Sequence, residues 1–300
     1  MLDDDALHTW RDRLGRVGIW TGGLDGLPAT EVGAAAARIE AAGAGSLFFG
    51  EAYGREAFTQ ASLALSGTES LVVGTGIANI HARDPVASRA AQATLAASSG
   101  DRFVLGLGVS HRPIVEGMRK QDYGSPLGTM QSYLEGLAST QPFVPDPAGG
   151  PVLVAALGPR MLALSAEYAD GAHPYLTTPE HTATAREAIG PDKLLVVEQG
   201  ATLVEDTDEH QRRAHTHLEI YTGLPNYRNS WYRLGFTEQD TVRGGSQRLK
   251  DALVPHGLDA TVAAVEAHLE AGADHVVVQV LGDHPLHLDL AAVEALLAGV

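Results

Sequence analysis

The chain contains no cysteine. That absence removes disulfides, zinc–thiolate sites, iron–sulfur clusters and thiol nucleophiles together. Cations are also scarce: 21 Lys and Arg stand against 37 Asp and Glu, a formal charge of −16. With no basic face to release counterions, duplex nucleic acid is excluded as a partner, and so is an anionic membrane surface. A small anionic ligand stays compatible, because a local pocket can differ from the global field. Long apolar runs are missing too, none approaching the ~20 residues that a membrane helix needs. Met1-Leu2-Asp3-Asp4-Asp5 offers neither a basic n-region nor an apolar h-region, so it does not read as a signal peptide, and a cytoplasmic protein is expected. The excess of acid reads first as a solvated surface.

What is present is a regular alternation of short apolar runs with Ala-rich amphipathic stretches. The first strand is expected at Arg16–Trp20, followed by a helix at Glu31–Ala42 capped by Thr30. Ser46–Gly50 and a helix at Phe58–Leu65 come next, then Leu71–Gly76 and a helix from Pro85, capped by Asp84, to about Ser98. Phe103–Gly108 precedes a helix at Leu127–Ser139 and a Pro-rich loop at Gln141–Pro151. Val152–Ala156, Gly171–Leu176 and Leu194–Val204 follow as strands, with helices at Pro159–Ala169, Glu180–Ile189 and Thr207–Tyr221. An irregular aromatic segment, Gly223–Phe236, leads to helices at Gln247–Leu253 and Thr261–Ala271, a last strand at His275–Leu281 and a helix at Leu288–Ala298.

Strands that are apolar throughout are buried on both faces, which means a parallel sheet. Eight strand–helix units in 300 residues predict an α/β fold, a (β/α)8 TIM barrel in one domain, 1–300, with a helical insertion at about 205–255 after the seventh strand. The competing dinucleotide-binding sheet fails its fingerprint: Gly74-Thr75-Gly76 and Gly106-Leu107-Gly108 lack the third glycine, and no GxxxxGK[ST] occurs.

A barrel carries its site at the C-terminal strand ends. Here these hold Trp20-Thr21-Gly22, Gly50-Glu51-Ala52-Tyr53, Gly76 to His81, Gly108 to His111, Ala156 to Pro159, His173-Pro174-Tyr175, Glu198-Gln199 and Gln279. No metal site is expected: the first strand has no His-x-His and no HExxH occurs, while His215 and His217 share a helix at a spacing that faces different ways and read as surface residues. No G-x-S-x-G elbow marks a nucleophilic serine. Two loops suit an anion, Gly106-x-Gly108-Val109-Ser110-His111 and Leu157-Gly158-Pro159-Arg160, the latter opening a helix whose free N–H groups and dipole favour phosphate.

These residues carry a resemblance. GTGIANIHARDP (Gly74–Pro85), DRFVLGLGVSH (Asp101–His111) and AALGPRM (Ala155–Met161), with WTGGL (Trp20–Leu24), GEAYGREAF (Gly50–Phe58) and GLPNYRN (Gly223–Asn229), resemble the bacterial luciferase-like superfamily. Within it the chain is most similar to oxidoreductases that use the deazaflavin coenzyme F420. The resemblance implies a homodimer, with the Ala87–Ser98 helix as one contact surface, and a flat coenzyme in the barrel mouth. The ring would rest against a bulge in the third strand carrying a non-prolyl cis peptide at Gly76–Ile77. The coenzyme-binding residues would be Gly76, Ile77, Ala78, Asn79, Gly108, Val109, Ser110, Ala156, Leu157, Gly158 and Pro159.

The chain departs from related sugar-phosphate dehydrogenases, which place an Asp-His pair after the second strand and a Glu after the fourth. Here Glu51-Ala52 and His111 stand there. Sugar-phosphate oxidation is therefore not expected. Glu51, His111 and His81 become the candidate acid–base groups; for Glu51 the other reading is an ion pair with Arg55 or Arg83. Trp20, Tyr53, His173, Tyr175, Asn226, Tyr227 and Trp231 are the candidate substrate-binding residues, suited to a small organic molecule of mixed polarity. The leading expectation is hydride transfer with F420. An FMN-dependent monooxygenase on the same barrel is one alternative. A non-catalytic ligand-binding barrel, consistent with Ala52, is another.

Overall fold

The structure, a computed structural model, describes residues 1–52, 54–145 and 149–300. Its first element is a helix, α1 (Asp4–Leu14), whose N-cap Asp3 accepts from the Ala6 N–H. The strands are β1 (Val17–Trp20), β2 (Ser46–Phe49), β3 (Val72–Thr75), β4 (Ala78–Asn79), β5 (Phe103–Gly108), β6 (Val152–Val154), β7 (Gly171–Ala172), β8 (Leu194–Ala201) and β9 (His275–Val280). The intervening helices are α2 (Val32–Ala41), α3 (Ala57–Ser66), α4 (Pro85–Ser99), α5 (Pro126–Ser139), α6 (Pro159–Tyr168) and α7 (Pro179–Ile189). Between β8 and β9 lie α8 (Thr207–Tyr221), α9 (Pro225–Arg233), α10 (Gln247–Leu253) and α11 (Leu258–Glu270); α12 (Leu290–Leu297) ends the chain.

Every strand pairing is parallel and the sheet closes on itself, giving the expected (β/α)8 barrel. β3 and β4 share one barrel position: β3 pairs with the start of β5 (Val73 with Phe103) and β4 with its end (Ala78 with Leu107). The step between them is the Gly76–Ile77 peptide, which is cis.

Alternation along the strands sorts the core into two shells. Ile19, Leu47, Val73, Leu105, Val197 and Val278 face out and pack under the helices. Phe48, Val72, Val104, Leu153, Val196 and Val277 face in, and Leu7, Trp10 and Leu14 of α1 join them from below. Thus α1 closes the barrel floor. Its signal was present in the sequence as Leu7, Trp10 and Leu14 at i, i+3, i+7 behind an Asp cap.

Four expectations are corrected. Thr30 does not cap α2; a 3-10 turn at Ala29–Glu31 leads into it and no side chain bonds its first N–H groups. The sixth barrel strand, β7, stops at Ala172, because Pro174 has no N–H to extend the ladder. The seventh, β8, stops at Ala201, and Thr202 only bridges His256. The segment 223–236 contains a true helix, α9, started by Pro225 and held by Tyr227 and Trp231 on one face. No helix among the described residues is long and apolar enough to cross a membrane.

If α1 closes the floor, Trp10→Ala should cost about 3–5 kcal/mol of stability, as deletion of a buried tryptophan does. Chemical denaturation measures this; a loss below about 1 kcal/mol would show that α1 is an appendage.

Candidate active site

At the C-terminal rim the inward positions fall into two halves. On one side stand Gly50, Gly76 and Gly108, which bring backbone only. On the other stand Tyr175, Glu198 and Gln279. Beneath the glycine half lies the Trp20 indole, whose Nε1–H donates to the Gly76 carbonyl at 2.8 Å. A Cβ on Gly76 would come within 2.5 Å of that nitrogen and 2.8 Å of His173 Nε2, so no other residue fits. Ile77 lies against Gly108, where a Cβ would meet its side chain at 2.5 Å. The result is a smooth wall of backbone and one isoleucine, suited to a flat ring.

Glu51 holds this wall in place. Its Oε2 accepts from the Asn79 N–H (2.8 Å) and from Arg83 Nη1 (2.9 Å), and its Oε1 pairs with Arg83 Nη2. Arg83 also reaches Glu56 at 2.7 Å and lies over the Phe58 ring. Of the two readings of Glu51, the structure shows the ion pair, with Arg83. His81 and His111 stand half-buried at the rim, the first stacked on Tyr123 and the second 5.9 Å from the Tyr227 ring. Burial holds both imidazoles below their ordinary pKa, so they present neutral rings at pH 7.

The polar half is more deeply enclosed. Glu198 is fully buried; its Oε2 accepts from the Leu176 N–H at 2.9 Å, and burial pushes its pKa up to about 8. The Tyr221 hydroxyl donates to that of Tyr175 (3.2 Å), which donates to Gln279 Oε1 (2.6 Å). Tyr227 closes the cluster, 4.8 Å from Tyr221. Burial raises all three phenols, Tyr221 to about 12. His173 donates from Nδ1 to the Val196 carbonyl (2.8 Å); burial carries it down to about 4, leaving Nε2 a bare acceptor.

An uncapped helix start adjoins the glycine half. Gly158 is the N-cap of α6, extended at φ −106°, ψ 155°, with no side-chain cap. Asp, Asn or Ser would ordinarily serve there, and a Cβ would meet only Arg233, at 3.5 Å. Arg233, at the end of α9, donates to the Leu157 carbonyl at 3.1 Å. Pro159 brings no N–H, and the Met161 and Leu162 N–H groups turn back to the Gly158 carbonyl (3.0 Å each), so this helix start leaves the Arg160 N–H beside the Arg233 guanidinium.

The candidate residues distribute unevenly over this frame. Gly76, Ile77, Gly108, Val109, Ser110, Leu157, Gly158 and Pro159 lie along the glycine half and the adjoining helix start, while Ala78, Asn79 and Ala156 are buried behind it. Tyr175 and Tyr227 face the mouth cluster. Trp20 and His173 are buried braces beneath it, and Trp231 is a fully enclosed anchor donating to the Leu176 carbonyl at 3.1 Å. Asn226 is exposed on the outer side of α9, and Tyr53 lies outside the described residues. His215 is exposed as expected, but His217 is turned inward, 6.3 Å from Tyr175. Sequence reasoning left Arg233 and Tyr221 unnoticed and gave Glu198 no role. The last had a signal: a carboxylate directly after the apolar run Leu194–Val197, within the same strand.

Glu51→Gln should lower stability by about 2–3 kcal/mol, since Arg83 would keep only Glu56 as a charged partner. Thermal and urea unfolding of the variant measure this; an unchanged midpoint would return Glu51 to the list of free acid–base groups.

A model of the family described as luciferase-like monooxygenase matches residues 16–279. A Mycobacterium tuberculosis protein named as a coenzyme F420-dependent oxidoreductase is 30% identical over 174 residues, a match covering 48% of this chain and 50% of that one. The chain thus spans about half the length of that curated relative. Among solved structures, the coenzyme F420-dependent tetrahydromethanopterin reductase of Methanopyrus kandleri superposes with a TM-score of 0.69 at 18% identity, over 95% of this chain and 99% of that one. An F420-dependent secondary alcohol dehydrogenase, in complex with an F420–acetone adduct, gives 0.70 at 14%, covering 94% and 98%. The FMN-bound oxygenating constituent of 3,6-diketocamphane monooxygenase from Pseudomonas putida gives 0.70 at 11%, covering 95% and 97%. At these identities the superpositions speak for the barrel alone. The family match runs from the first barrel strand to the last, over the bulge, the glycine wall and the uncapped helix, and the chain belongs to the luciferase-like monooxygenase family.

Proposed function

We propose that this protein is an oxidoreductase that binds coenzyme F420 and moves a hydride between it and a small organic substrate. The observation that carries the reading is the glycine-walled half of the mouth, running out to an uncapped helix N-terminus under an arginine. A flat ring with a phosphate-bearing tail has the matching shape and charge. The curated relative favours the deazaflavin over FMN.

The residues present fit such a group. Ile77 and the Gly76 and Gly108 backbone would support the ring, and Gly158 with Arg233 would hold the phosphate. When bound, the deazaflavin supplies a ring carbon that gives or accepts a hydride. The protein's part is positioning and the handling of one proton. Glu51 and Arg83 keep the bulge rigid. His81 and His111 offer neutral hydrogen-bonding nitrogens at the rim, and the α9 aromatics cover the substrate side. His111→Ala is expected to lower turnover more than coenzyme affinity; the reverse ratio would make it a binding residue.

Fluorescence titration with coenzyme F420 and with FMN tests the reading. Saturable F420 binding that also raises thermal stability by mass action is expected. Tight FMN binding without an F420 response would favour the monooxygenase reading, and binding of neither would leave a ligand-binding barrel. Gly158→Asp should lower F420 affinity at least tenfold, about 1.4 kcal/mol, by placing a like charge at the phosphate. Because Asp is a good N-cap, the same variant should keep or slightly raise the melting temperature of the free protein. An unchanged affinity would place the phosphate elsewhere.

A further inference from the structure

Glu198 and His217 are the polar groups of the mouth that the coenzyme leaves without a task. Glu198 Oε1 and His217 Nε2 both lack a hydrogen-bond partner among the described residues. They flank one niche. A Cβ on Gly200 would stand 3.6 Å from Oε1, 3.9 Å from Nε2 and 3.8 Å from the Leu253 carbonyl, so the two atoms converge on the same face of Gly200. Both are enclosed, and two buried polar atoms left without a partner at one point call for a polar group between them.

The surroundings set the chemistry. Tyr175, Tyr221 and Tyr227 face Glu198 from two sides, and two of these phenols spend their protons on each other and on Gln279. No Lys or Arg pairs with Glu198 among the described residues. A substrate carboxylate or phosphate finds no cation on this side, whereas a neutral oxygen finds donors and acceptors. A carboxylic acid beside a neutral imidazole has the same net charge as a carboxylate beside an imidazolium. One proton can therefore move within the pair without creating a lone buried charge.

We propose that Glu198 and His217 are the proton-carrying dyad of this site, exchanging one proton with the oxygen of an alcohol or carbonyl substrate seated against Tyr175 and Gln279. His217, the less enclosed residue of the two, is the contacting group through its buried Nε2; Glu198, fully buried, is a positioning residue that loads it. In the oxidative direction the substrate C–H bond breaks with its hydride leaving to the coenzyme. The O–H bond breaks with its proton leaving to His217, and a C=O bond forms. In the reductive direction both transfers reverse. The proposal rests on the F420 reading.

Infrared titration of the free protein reads the dyad without substrate. A carboxylic-acid C=O band should be present at neutral pH, absent in E198Q, and shifted in midpoint by at least one pH unit in H217Q. Stability gives a second readout. An acid whose folded pKa is raised to about 8 makes the fold lose stability as pH rises toward that value. His173, His217, His268 and His275, held down at about 4 by burial, act in the opposite sense: in the unfolded chain they are half protonated near pH ~6.5, so they add stability as pH rises until they are neutral in both states above pH ~7.5. Between pH ~6.5 and ~8 the melting temperature of the unaltered protein should therefore fall relative to that of E198Q, which carries the same histidines.

With F420 loaded and 2-propanol or acetone as probe, E198Q and H217Q should lose at least a hundredfold in turnover and one limb of the pH profile. E198D should retain part of the rate, and the affinity for F420 should change less than twofold. A band that persists in E198Q, or a midpoint indifferent to H217Q, overturns the dyad while F420 still binds. Absence of F420 binding to the unaltered protein overturns the coenzyme reading, and the substrate role with it.

Discussion

The hydrogen bond from the Trp20 indole to the Gly76 carbonyl is the contact on which the mouth depends. It ties the first barrel strand to the bulge in the third at 2.8 Å, across the interior rather than along the sheet. A ring that large can lie across the barrel only where its neighbours bring no side chain, which requires glycine at Gly76 and leaves Gly50 against its edge. The bulge in turn places Ile77 against Gly108 and presents the Asn79 N–H to Glu51. One packing constraint at the floor of the mouth thus produces the smooth wall above it.

The opposite half follows a different rule. There, side chains are long and polar, and they are enclosed by aromatic rings from α8 and α9 rather than by water. Enclosure makes every ionisation costly, so an acid, three phenols and two imidazoles all shift toward their neutral forms. A chain of strongly negative net charge therefore holds a mouth half that is close to neutral, with a cationic corner at Arg233 and the start of α6. Separation of a flat apolar wall, a cationic corner and a neutral proton-holding cluster is what a hydride-transferring coenzyme and an uncharged substrate require.

Much of this was legible in the sequence. Apolar runs of strand length, each followed by an Ala-rich helix, specify the barrel, because burial on both faces and the right-handed crossover leave few other topologies. Gly74–Pro85 marks the bulge and Leu157–Pro159 the start of α6, since both are local features written in consecutive residues. What the sequence did not reveal depends on contacts across the chain. Glu51 and Arg83 are 32 residues apart; the sequence offered their pairing only beside Arg55 and a free acid–base role, and the choice is made by the bulge turning toward the second strand. His217 reads as a surface residue by helical spacing, yet α8 lies on the mouth, not on open solvent. Arg233 reaches Leu157 over 76 residues. Asn226 and Trp231 show the same limit in reverse: composition drew attention to an aromatic segment, but only the helix it forms decides which residues face the mouth.

A crystal structure of the protein with coenzyme F420 tests the central claim most directly. The account predicts the ring stacked against Ile77 and the Gly76 and Gly108 backbone, with the phosphate at the start of α6, bonded to the Arg160 N–H and to Arg233. A ring lodged instead among Tyr175, Glu198 and Gln279, or a phosphate bound away from Gly158, would contradict it.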